Sequence, residues 1–169
     1  MTRWVLEGRA WVVGDHVNTD QILPGRYLDR PVEEVGQYAF AGLDPEFARR
    51  VTPGDVVVAG VNFGCGSSRE AAVLALLQAG VAAVIARSFA RIFFRNAINN
   101  GLPAVIVPAV DGIAAGDLLR VDLTARTVTH LRTGAVLPVL NLTGTSREIL
   151  EHGGIVPFTL ARLQRRAQR

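Results

Sequence analysis

The chain has one cysteine, Cys65, and no lysine among its 169 residues. A lone thiol excludes an internal disulfide. It also falls short of the three or four ligands that an iron–sulfur cluster or a structural zinc usually takes. The three histidines, His16, His130 and His152, show no metal-ligand spacing, so any metal chemistry needs ligands from another chain. All 18 basic residues are arginines, giving a formal charge of +3 against 15 acidic residues. The only basic cluster is "LARLQRRAQR", where Arg162, Arg165, Arg166 and Arg169 recur at helical spacing without interleaved aromatics, so it reads as a solvated helix and not as a nucleic-acid face. No apolar run reaches the roughly 18 residues a membrane span needs. Glu7 and Arg9 stand where a secretory signal would carry its apolar segment, and a cytoplasmic protein is expected.

What is present is a sequence rich in packing residues, 49% hydrophobic and 20% charged. That composition fits one ordered domain over residues 1–169. Its middle alternates short β-branched runs with longer helical ones. "DVVVAGV" (55–61), "VAAVIA" (81–86) and "PAVIV" (103–107) read as buried strands, while "REAAVLALLQA" (69–79) and "FARIFFRNAINN" (89–100) read as helices stopped by Gly80 and Gly101. A β-α-β-α-β unit of this kind closes into a parallel sheet. Before it, "WVLEGRAWVV" (4–13) predicts a strand entering a polar loop. After it, "LLRVDL", "TVTHL" and "VLPVL" predict a small antiparallel meander, followed by helices from about 146 to 152 and 157 to 168. The expectation is an α/β fold with a mixed sheet.

The stretch "NFGCGSSREAA", residues 62 to 72, is the candidate for chemistry. It runs from the end of a buried strand into a helix, the place where open α/β sheets hold ligands and where helix N–H groups favour an anion. A dinucleotide site fits poorly, because Arg69 occupies the third glycine's position, and a P-loop lacks its Gly-Lys-Ser/Thr. A thiol enzyme built on Cys65 has no histidine nearby in sequence, although the fold could bring His16 close. Ser67-x-x-Glu70 also has the spacing of a capping box, and Thr145-Ser146-Arg147-Glu148 repeats it at a second helix start. Spacing alone therefore leaves Ser67 open between a helix cap and a functional group.

Three blocks taken together, "GDHVNTDQILPGRYL" (14–28), "NFGCGSSRE" (62–70) and "ARSFARIFFRNAINNGLP" (86–103), resemble the small subunits of 3-isopropylmalate dehydratase and homoaconitase, relatives of the swivelling domain of aconitase. The resemblance covers about residues 4 to 160 and implies a swivelling β/β/α domain. It implies a separate large subunit carrying a [4Fe–4S] cluster, and a dicarboxylate or tricarboxylate substrate isomerised by dehydration and rehydration. It assigns Ser67 as an alkoxide base and Asp20 as an acidic residue of the site. Beside Ser67, Arg69 offers a bidentate fork for a substrate carboxylate, and Ser68 is open between capping the helix and a hydrogen bond to that carboxylate. It makes the loop Arg26-Tyr27-Leu28-Asp29-Arg30 the determinant of substrate choice, between an apolar isopropyl group and the extra carboxylate of homoaconitate. Isopropylmalate is the expected substrate, and an RNA-binding or regulatory module is the reading from a different class.

Overall fold

The computed structural model describes residues 4–168; Met1–Arg3, which open the chain, and Arg169 of the basic cluster lie outside the described residues. Strand β1 (Val5–Val12) sits at the centre of a seven-stranded sheet ordered β4-β3-β2-β1-β5-β6-β7. Its eight residues serve two neighbours. The first half pairs antiparallel with β5 (Leu118–Asp122), from Val5 opposite Asp122 to Arg9 opposite Leu118. The second half pairs parallel with β2 (Val56–Ala59), from Ala10 opposite Val56 to Val12 opposite Val58.

The parallel half continues through β3 (Ala83–Ala86) and β4 (Ala104–Ile106), as the alternating runs predict. Every residue of β2 and β3 is buried, which explains their unbroken apolar sequence, since helices cover a parallel sheet on its faces. The antiparallel half is the expected meander, β5 to β6 (Thr127–His130) to β7 (Val136–Pro138). Here β5 alternates exposed and buried positions and β6 half-buried and buried ones, as one-sided strands do.

Two one-turn helices, α1 (Thr19–Ile22) and α2 (Phe47–Arg50), punctuate the long segment between β1 and β2. Between them the chain turns through two 3-10 segments, Gly25–Tyr27 and Val32–Tyr38. The second packs on α3 (Glu70–Ala79), where the Gly36 N–H donates to Gln78 Oε1 at 3.1 Å. Helix α4 (Arg91–Asn99) follows β3, and α5 (Gly144–Glu151) and α6 (Ile155–Ala167) close the chain. The last helix starts two residues earlier than the predicted 157.

Phe40, Phe47, Phe63, Phe89 and Phe93 form a chain of edge-on and stacked rings with centroid separations of 4.8 to 6.3 Å. Phe63 is fully buried at its centre and anchors the floor of the 62–68 loop. At the opposite end of β2, buried Asp55 is raised by desolvation. Hydrogen bonds from the Trp11 indole and the Thr52 and Arg9 amides outweigh that, and its carboxyl lies below the ordinary range. No helix of the described residues is long and apolar enough to cross a membrane.

Candidate active site

The loop after β2 climbs out of the sheet through left-handed turns at Asn62 (φ 58°), Gly64 (φ 80°) and Gly66 (φ 90°). Gly64 is required twice over. Its φ suits glycine, and a Cβ there would overlap Phe93, with the ring Cδ2 only 2.6 Å away. Its N–H donates to Val17 O at 2.8 Å, and the Thr19 N–H donates to Cys65 O at 2.9 Å. Thr19 Oγ1 then donates to Ser67 O at 2.8 Å. The segment Val17–Thr19 thus holds the loop by its backbone and leaves the serine side chains outside.

Ser67 and Ser68 are exposed, and neither hydroxyl has a hydrogen-bond partner among the described residues. Neither is a helix cap. Helix α3 begins at Glu70 with Arg69 at the N-cap, extended (φ −132°, ψ 99°) and without a side-chain cap. The expected Ser67–Glu70 box is therefore not formed. Thr19 and Asp20 hold residues 67 and 69 out of the helix, and Glu70 Oε1 instead accepts from Asn100 Nδ2 at 2.9 Å. Its supposed twin also fails, because α5 begins at Gly144 and places Thr145–Glu148 inside the helix, again without a side-chain cap. A capping box does form at Asn18, whose Oδ1 accepts from Gln21 N at 2.8 Å while Gln21 Oε1 accepts from Asn18 N at 3.0 Å. The string Asn18-x-x-Gln21 carried that signal in the sequence.

Arg69 turns back to the first loop. Its Nη1 donates to Asp20 Oδ1 at 2.9 Å and to Leu23 O at 3.1 Å. The Arg69 hydrogen bond, followed by one from the Gly25 N–H at 2.9 Å, holds the Asp20 carboxyl below its ordinary range. Helix α1 and the loop before α3, some fifty residues apart in sequence, are thus joined by a charge-assisted bond.

Beside Ser67 opens a cleft of about 210 Å³, lined on one side by Gly66, Ser67, Ser68 and Arg69 and on the other by Arg91 and Ile92 at the start of α4. Arg91 and Ile92 lie in the "FARIFF" block, to which the sequence reading gave no site role. The loop Arg26–Arg30 is not part of this wall. Tyr27 stacks on Tyr38 at 4.0 Å, Arg26 lies over the Tyr27 ring, and Arg30 lies 5.9 Å from the Tyr38 ring. Arg26, Leu28, Asp29 and Arg30 are exposed. His16 does approach Cys65, but through its carbonyl, 3.5 Å from Sγ, while its ring Nδ1 lies 3.3 Å from Asn62 Nδ2. The described residues contain no group of three or more His, Cys, Asp or Glu placed to hold a metal ion. In the basic C-terminal helix, Arg162 lies over Phe158 and Arg165 lies 3.3 Å from His152.

Residues 31–109 match the aconitase C-terminal domain. The 3-isopropylmalate dehydratase small subunit 1 of Methanopyrus kandleri is 53% identical to this chain over 156 residues, covering 91% of this chain and 92% of that protein. The chain belongs to the 3-isopropylmalate dehydratase small-subunit family. The isopropylmalate/citramalate isomerase small subunit of Methanocaldococcus jannaschii is 48% identical over 92% of this chain and 94% of its own length. A crystal structure of 3-isopropylmalate dehydratase from the same organism superposes with a TM-score of 0.93 at 43% identity, covering 97% of this chain and 98% of that one. Aconitase X of Thermococcus kodakaraensis, at 15% identity and TM-score 0.52, shares the fold alone. The mixed α/β sheet is thus that of the small-subunit family, as the three sequence blocks imply.

Proposed function

We propose that this chain is the small subunit of a two-subunit hydro-lyase that interconverts 2-isopropylmalate and 3-isopropylmalate by dehydration and rehydration, a step of leucine biosynthesis in the cytoplasm. The observation that carries the reading is Ser67, exposed and uncapped on a strand-to-helix loop, beside an arginine fixed by Asp20. In this role the Ser67 alkoxide takes the proton from the carbon next to a carboxylate, and hydroxide leaves from the neighbouring carbon. Water then returns with the positions exchanged.

An ordinary serine hydroxyl is far too weak an acid for this at neutral pH. The start of α3, which no side chain caps, and the guanidinium of Arg69 favour the alkoxide, and closure against a large subunit removes competing water. Ser68 donates to a substrate carboxylate, and Arg69 offers the fork that binds it. Asp20 works through Arg69, holding the guanidinium in place.

A single cysteine does not fit a cluster host, so a [4Fe–4S] cluster belongs to the large subunit, where it would supply the Lewis acid for the departing hydroxide. The chain then acts as one swivelling domain closing on that partner, and the reading needs no nucleic acid or membrane. Relatives at close to half identity are named for isopropylmalate, or for isopropylmalate and citramalate, malates whose third group is apolar. Ile92, 47% exposed on the cleft, supplies apolar surface for such a group.

The test is anaerobic reconstitution with a cluster-bearing large subunit. Isomerisation of isopropylmalate should appear only in the mixture. A brown, active protein obtained from this chain alone would overturn the divided site.

A further inference from the structure

Both helices that meet at the cleft start without a side-chain cap, α3 after Arg69 and α4 after Ala90. Their first-turn N–H groups give the cleft a positive bias. The two arginines there are not equivalent. Arg69 already faces the Asp20 carboxylate at 2.9 Å, so the pair brings no net charge. Arg91, the first residue of α4, is exposed, lines the cleft opposite Ser67, and has no hydrogen-bond or ion-pair partner among the described residues. A malate-type substrate carries two carboxylates, and in this chain's half of the site one full positive charge is left to meet them.

We propose that Arg91 is a substrate-binding residue that anchors one carboxylate across the cleft from Ser67, while Arg69 and the loop amides take the other. The inference rests on the isopropylmalate reading above. It gives α4 a direct role, since the residue at its first position reaches the substrate while Phe93, two residues on, packs against Gly64 beneath the loop. Arg95, one turn further along α4, does not line the cleft and serves as the control.

The experiment uses the reconstituted two-subunit enzyme with Arg91→Gln, Arg91→Lys and Arg95→Gln. Calorimetry gives the Kd for 2-isopropylmalate, steady-state kinetics give KM and kcat, and gel filtration reports assembly. Losing a hydrogen-bonded charge pair weakens binding roughly 10- to 100-fold, so Arg91→Gln should raise Kd and KM by that factor. Arg91→Lys should fall between, Arg95→Gln should match wild type, and all three should assemble normally. An unchanged Kd in Arg91→Gln overturns the proposal. So does a defect confined to assembly with a wild-type Kd at saturating large subunit, which would make Arg91 a partner contact. A wild-type complex that neither binds nor turns over isopropylmalate removes the functional reading itself, and the inference with it.

Discussion

Replacing Gly64 by alanine tests how the 62–68 loop is held. Gly64 has a φ of 80°, and an added Cβ would lie 2.6 Å from Phe93 Cδ2 in a fully packed aromatic floor. The left-handed backbone costs an L-residue about 1–2 kcal/mol, and forcing a methyl into a filled core adds about 1–3 kcal/mol. Gly66 is the matched comparison. Its φ is 90°, but a Cβ there meets Asn18 Cβ at 3.5 Å and Thr19 Oγ1 at 3.7 Å, ordinary contact distances. Gly66→Ala should therefore show the backbone cost alone. Gly64→Ala should lose about 2–5 kcal/mol in total, or roughly 4–20 °C of Tm at about 2–4 °C per kcal/mol for a chain of this size. Denaturant melts of the two variants, followed by circular dichroism, give the difference directly. Equal stabilities would refute the claim that Phe93 props the loop from below.

Two further predictions concern Asp20 and Arg30. Asp20 has its pKa lowered in the folded state by the Arg69 and Gly25 hydrogen bonds, so the pair is intact above the ordinary carboxylate value of 3.8 and is lost only as pH falls through the lower folded value. A carboxyl NMR titration should place the Asp20 midpoint below 3.8, and Asp20→Asn should lower kcat/KM by about 10-fold at neutral pH while leaving the fold intact. Arg30 is exposed over Tyr38, so Arg30→Ala should be nearly silent, and the enzyme should show a higher kcat/KM for isopropylmalate than for homoaconitate. A homoaconitate preference that collapses in Arg30→Ala would reverse the choice of substrate.

The β-α-β-α-β centre was legible because buried parallel strands need unbroken apolar runs and their helices end at Gly80 and Gly101, both left-handed. The meander was legible from its turn residues and short alternating runs. The spacing at Ser67 left its role open because a capping box is a local pattern, whereas the bonds that decide residues 67–69 come from Thr19 and Asp20, nearly fifty positions away. The same long-range tie explains Asp20, whose partner no spacing rule could supply. The region from Gly25 to Tyr38 gave no sign of its 3-10 turns, nor of the Tyr27–Tyr38 stack that draws the arginines onto aromatic faces. Arg91 and Ile92 were hidden differently. They lie on an amphipathic helix whose exposed residues look like solvated surface until the fold sets them opposite Ser67.

The central claim is that Ser67 is a base and not a structural residue, and turnover by Ser67→Ala in the reconstituted enzyme tests it most directly. The serine side chain makes no bond within the described chain, and the Thr19 bond to the residue 67 carbonyl survives the substitution. Stability should therefore stay within about 0.5 kcal/mol of wild type. Removing the base should lower kcat by about 10²- to 10⁴-fold with assembly and cluster content unchanged. A Ser67→Ala enzyme that assembles normally and isomerises isopropylmalate within a few-fold of the wild-type rate would contradict the account.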